Sequence, residues 1–223
     1  MNQSQSKNIP WGSIAVVSVD VDGTLYSVTP VIRRLFIFAL WGIVTFRFRM
    51  VFEELKSILL FYRERRQIHE NAGEYRFEKD SHIRNLLLER TSRFMAKEVG
   101  RGGLRPGVRE TLEHFKKQGL RVVALSDHYS DAKLRALGVH TLFDGVYAAE
   151  ATGHLKPHPE GFRTICKAEN IAPHQLLHIG DRDETDGAGA RNIGASSLIL
   201  EKDFHSFSEL RVPPMQKDGA EAG

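Results

Sequence analysis

The stretch IAVVSVDVDGT, residues 14–24, is the most informative part of this chain. Residues 14–19 form a short, valine-rich and mostly apolar run, which favours a buried β-strand that ends at Asp20. A predicted tight turn, Asp-Gly-Thr, follows at residues 22–24, where glycine supplies the backbone freedom. In an open parallel sheet the ligand site lies beyond the carboxyl ends of the strands, so acidic residues at this position are candidates for function.

The sequence after residue 104 alternates between short apolar runs and amphipathic stretches. Strands are predicted at residues 120–125, 145–149, 176–179 and 197–200. Helices are predicted at residues 106–118, 131–137, 159–169 and 186–193. Strands and helices that alternate at this spacing indicate βαβ units and a parallel sheet covered on both faces. We therefore predict an α/β fold whose core is a doubly wound, Rossmann-like parallel sheet.

Residues 25–103 interrupt this alternation with helical patterns alone. Thr29 and Pro30 are typical of an N-cap followed by proline in the first helical turn, and the glycines at 100, 102 and 103 indicate a flexible junction. Three helices are predicted, at residues 31–46, 50–67 and 81–99. The simplest organisation has three parts: a core of residues 10–28 and 101–208, a helical cap inserted at residues 29–100, and a polar tail at residues 209–223.

Composition is that of an ordinary globular protein and excludes several other classes. The net charge of +3 is a mild excess that does not favour a nucleic-acid partner. A single cysteine, Cys166, excludes an intrachain disulfide, and the polar N-terminus lacks the apolar segment of a signal peptide. These features predict a cytoplasmic protein with Cys166 packed in its interior. The oligomeric state is left open between a monomer and a homodimer.

The longest uncharged run, residues 35–46, is bordered by arginines on both sides. A membrane-spanning helix needs about 20 apolar residues, so this run is too short to cross a bilayer comfortably. It is predicted to be a buried helix, a contact between two copies of the chain, or an interfacial segment on an anionic membrane surface. The simplest interpretation is an amphipathic helical domain with its arginines in water, and membrane contact is the less favoured hypothesis.

Four polar signals fall at or near the ends of predicted strands. The first is the pair Asp20 and Asp22, two carboxylates that repel each other at one strand end unless a cation or a shared proton lies between them. An Asp-Gly turn without a function is the alternative. The second is Ser126, whose hydroxyl suits the oxygens of a phosphate and equally suits a turn or a helix N-cap.

The other two signals are a lysine and a second pair of aspartates. Lys156 precedes a proline, which holds it in extended backbone where its ammonium group suits a phosphate and a carboxylate. A solvated lysine is the alternative. Asp181 follows Gly180 at a strand end and is predicted to bind a hard cation. Asp186 suits either that cation or the N-cap of a helix.

Together and in this order, the four signals resemble the sequence motifs of the haloacid dehalogenase-like superfamily. Those motifs are Asp-x-Asp-Gly-Thr, then Ser or Thr, then Lys, then Gly-Asp with a second Asp soon after. The matching segments are residues 14–24 and about 104–200, roughly half of the chain. The helical insertion sits where this superfamily carries a helical cap.

The resemblance implies a role for each carboxylate. Asp20 attacks phosphorus and forms an aspartyl-phosphate, and Asp22 protonates the leaving group and then activates water. Mg²⁺ is the implied cofactor, bound by the Asp20 carboxylate, the backbone carbonyl of Asp22 and the Asp181 carboxylate, with Asp186 in support.

The resemblance also implies a phosphate site. Ser126 and Lys156 hold the transferring phosphoryl group, together with the turn residues Gly23 and Thr24 and with Asp127. Asp127 departs from the neutral polar residue that is usual there, so it is alternatively expected to pair with His128 or to cap the next helix.

The reaction implied is Mg²⁺-dependent hydrolysis of a small phosphate monoester. By resemblance the dehalogenase branch lacks the second acid, because a halide leaving group needs no proton, whereas Asp22 is present here. Alternatives are a phosphomutase or phosphonate-type hydrolase on the same core, or a non-catalytic protein that uses its basic, apolar cap for interactions. The expected partner is a small phosphorylated substrate.

Overall fold

A computed structural model describes residues 9–44, residue 56 and residues 95–213 of the chain. Within these residues five parallel strands form one sheet, in the order β3-β2-β1-β4-β5. The strands are β1 (Val16–Val19), β2 (Arg121–Ser126), β3 (Gly145–Ala148), β4 (Leu176–Gly180) and β5 (Ser196–Ile199). This arrangement confirms the predicted α/β class and its doubly wound parallel sheet, with each strand within two residues of its predicted bounds.

The central strand β1 is buried on both faces. Val19 lies opposite Ala124 of β2 and Ile179 of β4. Val17 and Val19 belong to the larger apolar core on one face, whereas Val16 belongs to a smaller core on the other. Successive side chains of a strand point to opposite faces, so a strand covered on both sides requires apolar residues at neighbouring positions.

Helices connect the strands and cover the sheet. They are α1 (Val28–Val44), α2 (Val108–Lys117), α3 (Asp131–Ala136), α4 (Glu160–Ala168) and α5 (Ala188–Arg191). In α2 the residues Val108, Leu112 and Phe115 recur at helical spacing and are fully buried, which places one apolar stripe on the core. The helix stops before Gly119, whose φ of +80° is a left-handed conformation that glycine adopts at low cost.

Two predicted helix starts are wrong. The first turn of α1 begins at Val28, so Thr29 lies inside the helix and is not its N-cap. The helix predicted at residues 186–193 is instead a π-type turn, Asp183–Gly187, followed by the short helix α5. Asp186 therefore lies inside the turn, where its carboxylate accepts a hydrogen bond from the backbone N–H of Arg182 at 3.1 Å. Because of this wide turn, Asp186 is not a helix N-cap.

The flexible junction predicted at the glycines 100, 102 and 103 is wrong for the first two, because residues 95–102 are helical; Gly103 follows that helix with a φ of +75°. Arg34 of α1 donates to the backbone carbonyls of Glu98 and Arg101, both at 3.1 Å. The contact with Arg101 satisfies a carbonyl group in the last turn of that helix, where the carbonyls have no partner within the helix itself.

Much of the predicted cap lies outside the described residues. This holds for the helix predicted at residues 50–67, apart from residue 56, for residues 81–94 and for the tail after residue 213. In α1 the side chains of Ile37, Leu40 and Trp41 are exposed, so they do not fit a fully buried helix. Among the described residues, none of the helices has the length and apolarity required to cross a bilayer.

Candidate active site

The site lies where the order of the strands reverses. Strand β2 lies on one side of β1, and β4 lies on the other. Asp20 follows β1 directly, Ser126 is the last residue of β2, and Asp181 follows β4 directly. Because the strands are parallel, these three residues meet at one edge of the sheet, at the position where α/β proteins bind their ligands.

Three charged side chains form a buried cluster at this edge, which we call the inner cluster: Asp20, Lys156 and Asp186. The ammonium nitrogen Nζ of Lys156 lies 2.6 Å from Oδ1 of Asp20 and 2.6 Å from Oδ1 of Asp186. The three residues are 4%, 1% and 0% exposed. A solvated lysine is thereby excluded, and two of the predicted motifs are joined through one ammonium group.

Burial and charge perturb every member of the inner cluster. Burial, reinforced by the charges of Asp186 and Asp181, raises the pKa of Asp20 to about 7 despite the opposing charge of Lys156. Burial acts to raise the pKa of Asp186, but Lys156 and His178 outweigh this effect and hold the pKa below its usual range. Burial acts to lower the pKa of Lys156, and the carboxylates of Asp186, Asp20 and Asp127 raise it instead. Lys156 therefore remains an ammonium ion.

Asp181 adds a further carboxylate beside the inner cluster. Asp20, Asp181 and Asp186 each present one oxygen within 4.8 Å of the others. Within the described part of the chain, Oδ1 of Asp181 is buried and makes no hydrogen bond. Burial, followed by the charge of Asp186, raises the pKa of this carboxyl group. The nearest cation to this Oδ1 atom in the described residues is Nε of Arg182, 4.0 Å away, too far for a hydrogen bond. Three clustered carboxylates, one with a buried oxygen that makes no hydrogen bond, fit a hard divalent cation.

Glycine is required at two points around these carboxylates. A Cβ atom added to Gly23, whose φ is +96°, would lie 2.2 Å from Oδ2 of Asp181. One added to Gly180 would lie 2.3 Å from Cγ of Asp186. Arg105 fixes the first turn, because its Nε and Nη2 atoms donate to the carbonyl oxygen of Gly23 at 3.1 and 2.9 Å. Close packing between the two acidic turns thus depends on the absence of side chains at these positions.

Thr24 contacts the expected nucleophile. Its hydroxyl donates to Oδ2 of Asp20 at 2.8 Å, and its side chain is fully buried. Together with Lys156 on Oδ1, this bond holds both oxygens of the Asp20 carboxylate. The expected contacts of Gly23 and Thr24 with phosphate stay predictions.

Asp22 lies apart from the inner cluster and has partners that sequence reasoning missed. The Nζ atom of Lys133, in α3, donates to Oδ1 and Oδ2 of Asp22 at 2.7 and 2.6 Å. The hydroxyl of Tyr26 also donates to Oδ1. Ser126, the predicted phosphate ligand, lies 3.5 Å from Oδ2. A lysine in the third position of an ordinary amphipathic helix carries no sequence signal that would single it out.

Asp127 contacts the backbone of Lys156. Its Oδ1 accepts a hydrogen bond from the backbone N–H of Lys156 at 3.0 Å. Ser130 precedes α3, so the expectation that Asp127 caps this helix is wrong. His128 pairs with Glu150 at 2.8 Å.

His178, in β4, is a second residue that the sequence analysis missed. Its Nε2 lies 3.2 Å from Oδ1 of Asp186, and its Nδ1 lies 2.7 Å from the hydroxyl of Ser18 in β1. The ring is fully buried, and burial lowers its pKa despite the nearby carboxylate of Asp186. A neutral ring that donates from Nε2 to Asp186 must accept at Nδ1 from Ser18, so the contact orients Asp186. The sequence did contain one signal that could have identified it: a histidine within an otherwise apolar predicted strand.

Curated relatives resemble part of this chain. It is 34% identical over 97 residues to haloacid dehalogenase-like hydrolase domain-containing protein 3 of Xenopus laevis, covering 43% of this chain and 40% of that protein. It is 31% identical over 108 residues to glyceraldehyde 3-phosphate phosphatase of Pyrococcus furiosus, covering 47% of this chain and 44% of that protein. The aligned part of the chain thus spans less than half the length of either relative.

A solved structure extends the likeness to the whole fold. β-Phosphoglucomutase from Clostridium difficile matches with a TM-score of 0.59 and 18% identity, over 89% of this chain and 93% of that one. This likeness concerns the fold alone. The family model for haloacid dehalogenase-like hydrolases matches residues 14–194, well over half of the chain. Because this family model matches most of the sequence and the motif residues meet at one edge of the sheet, the chain belongs to the haloacid dehalogenase-like hydrolases.

Proposed function

We propose that this protein is a Mg²⁺-dependent phosphatase that hydrolyses a small phosphate monoester through a phosphorylated Asp20. The observation that carries the proposal is the placement of Asp20: a buried carboxylate at the central strand end, 2.6 Å from the ammonium group of Lys156. A relative named as a glyceraldehyde 3-phosphate phosphatase supports the class of reaction. The substrate itself is chosen by the cap, which we propose at residues 29–100.

In the first step an oxygen of Asp20 attacks phosphorus, and the bond from phosphorus to the ester oxygen breaks. The protonated Asp22 donates its proton to that oxygen, which leaves as an alcohol. In the second step Asp22, now a carboxylate, takes a proton from water while the water oxygen attacks phosphorus. The bond between phosphorus and Asp20 breaks, so inorganic phosphate leaves and both carboxyl groups return to their starting states.

Lys156 and Ser126 are proposed to hold the transferring phosphoryl group. A phosphate dianion repels a carboxylate nucleophile, and an ammonium ion beside both offsets that repulsion. Lys156 is positioned for this task because Asp127 and Asp186 anchor its backbone and its side chain. Ser126 lies at the end of β2, within 3.5 Å of Asp22.

Asp20, Asp181 and the backbone carbonyl of Asp22 are proposed to hold Mg²⁺, with Asp186 in support. When bound there, the cation supplies positive charge that favours the ionised form of Asp20 and stabilises the phosphoryl oxygens. Asp186 already accepts hydrogen bonds from Lys156, His178 and the backbone of Arg182. We therefore propose that the main role of Asp186 is to orient Lys156.

The test measures phosphate release from 4-nitrophenyl phosphate with Mg²⁺ and with a chelator, for the wild type and for Asp20→Asn. The wild type is expected to need Mg²⁺, and Asp20→Asn to lose at least about 10³-fold in kcat. Asp144→Asn is the matched control, since Asp144 lies at the amino end of β3, opposite the site, and should retain activity. Full activity of Asp20→Asn, or equal activity with chelator, would overturn the proposal. Activity confined to interconverting sugar phosphates would point instead to a phosphomutase, which uses the same pair of carboxylates.

A further inference from the structure

We propose that Lys133 is a positioning residue that fixes the carboxyl group of Asp22 for its two proton transfers. The inference rests on the proposed phosphatase function and concerns a residue outside the four sequence motifs. Lys133 lies in α3, after β2, whereas Asp22 lies in the turn after β1. Their contact ties the proton-transfer group to a helix that carries none of the other proposed site residues.

The geometry of this contact restrains rotation of the carboxylate. Nζ of Lys133 donates to both oxygens of Asp22, at 2.7 and 2.6 Å. The hydroxyl of Tyr26, four residues after Asp22, also donates to Oδ1. A carboxylate held through both oxygens cannot turn about its Cβ–Cγ bond without breaking a charge-assisted hydrogen bond.

Burial indicates that the contact is more than a surface ion pair. Lys133 is 8% exposed as a residue, and the side chain of Asp22 is 21% exposed. Lysine is almost never buried to this degree unless its ammonium group is paired. By contrast, the side chains of Lys202 and Asp183, joined at the same distance of 2.6 Å, are 54% and 34% exposed.

The proposed chemistry requires this restraint in both steps. Asp22 donates a proton to the leaving oxygen and later accepts one from water, and each transfer needs hydrogen-bond reach. A displacement of about 1 Å in such a group can cost about 100-fold in rate. Lys133 holds the carboxylate through both oxygens, and it holds the protonated form through the carbonyl oxygen while the O–H group faces the leaving oxygen.

A positioning role and a purely structural role differ in their dependence on the leaving group. Phenol is a weaker acid than 4-nitrophenol, so phenolate needs a proton from Asp22 more than 4-nitrophenolate does. Loss of Asp22 placement should therefore slow the hydrolysis of phenyl phosphate most. General damage to the fold should slow both esters equally.

The test compares kcat for phenyl phosphate and 4-nitrophenyl phosphate in the full-length wild type, Lys133→Met and Asp22→Asn. Lys133→Met is expected to lose about 100-fold on phenyl phosphate and about 10-fold or less on 4-nitrophenyl phosphate, with KM nearly unchanged. Asp22→Asn should show the same selectivity with larger losses. Adding Lys133→Met to Asp22→Asn should change kcat little, since both changes remove one interaction.

Two further variants keep the test decisive if Lys133→Met folds poorly. Lys133→Arg retains a cation that can donate to both oxygens and should recover most of the activity on phenyl phosphate. Tyr26→Phe removes one donor and keeps the ring, so it should give the same selectivity with a smaller loss. Lys116→Met is the control, because Lys116 pairs with Asp144 at the opposite edge of the sheet.

The outcomes separate the inference from the proposed function. Equal losses on the two esters in Lys133→Met, or an additive loss in the Asp22→Asn background, would overturn the positioning role while the phosphatase stands. A wild type that releases no phosphate from either ester with Mg²⁺ would overturn the proposed function, and the inference with it.

Discussion

Asp186 and Asp183 lie in the same turn, yet their ion pairs have different surroundings. Each carboxylate accepts from a lysine ammonium group at 2.6 Å, Asp186 from Lys156 and Asp183 from Lys202. The side chains of the first pair are both 1% exposed, whereas those of the second are 34% and 54% exposed. The contact distance is therefore no guide to the energetic role of an ion pair, because solvent decides how strongly two charges interact.

Arg191 and Lys202 hold the pKa of Asp183 at about 2 through hydrogen bonds, in a setting open to water and salt. Such exposed pairs contribute little to stability, because water and ions screen them. In the inner cluster the charges are desolvated, so the loss of one partner leaves the others buried without compensation. Four predictions test this contrast.

The largest effect is expected from Lys156→Met. This change leaves Asp20 and Asp186 buried without their ammonium partner, which should lower the free energy of unfolding by about 3–5 kcal/mol. Urea denaturation at pH 8 with chelator measures it. Lys202→Met is the matched control and should change the free energy by less than about 0.5 kcal/mol. Similar losses in the two variants would show that burial does not distinguish the pairs.

The next effect concerns metal removal. Mg²⁺ at about 100 times its Kd should stabilise the wild type by about 2.7 kcal/mol, seen as a rise in Tm over the chelated protein. Asp181→Asn should lose most of that rise, since it removes the negative charge and replaces one of the two carboxylate oxygens with an NH2 group that cannot bind a cation. Asp183→Asn changes a carboxylate two residues away that pairs with Arg191 and Lys202, and it should keep the rise. A rise that is identical in both variants would argue against Asp181 as a ligand.

A third effect is the pH dependence of Asp20. Its folded pKa of about 7 lies above the ordinary aspartate pKa of 3.8, so folding disfavours its ionised form. Its stabilising contribution is complete below pH 3.8 and is lost as pH rises through about 7. The free energy of unfolding of Asp20→Asn and of the wild type is measured in chelator at pH 5 and at pH 8. The value for the variant minus the value for the wild type should be about 2 kcal/mol higher at pH 8 than at pH 5. A difference that does not change with pH would contradict this.

The smallest effect is expected from Asp183→Asn. Its folded pKa is depressed, so its contribution is present above about pH 4 and is lost as pH falls through about 2. Because more than a third of its side chain is exposed, screening should keep the loss at pH 7 to about 0.5 kcal/mol or less. Thermal melts at low salt and in 1 M NaCl measure it, and salt should remove the difference from the wild type. A loss above about 2 kcal/mol would refute the screening argument.

The sheet and much of the inner cluster could be predicted because their signals are local. A valine run that ends at Asp20 predicts a buried strand with a carboxylate at its end, and the same logic applies to the strand before Asp181. Parallel strands then bring these ends together without further information. The wide turn at Asp183–Gly187 was missed: the N–H groups of both Asp186 and Gly187 donate to the carbonyl of Arg182, a pattern that no local signal in the sequence indicates.

The contacts that orient the proposed catalytic groups follow a different rule. Lys133 and Asp22 are 111 residues apart in the chain, and Ser18 and His178 are 160 apart. Neither residue has a sequence spacing that indicates its partner. Lys133 reaches Asp22 only when its helix packs on the sheet, and His178 lies opposite Ser18 only once β1 and β4 pair in register.

The sequence by itself determined the order of the strands and helices, the α/β class, and the identity of the groups at the strand ends. These follow from the alternation of apolar runs and from the direction that parallel strands share. The tertiary structure alone decided which carboxylates are desolvated, which lysines contact Asp20, Asp22 and Asp186, and that Oδ1 of Asp181 makes no hydrogen bond. Burial and through-space distance set the charge state and the free energy of these groups, and neither quantity is local in the sequence.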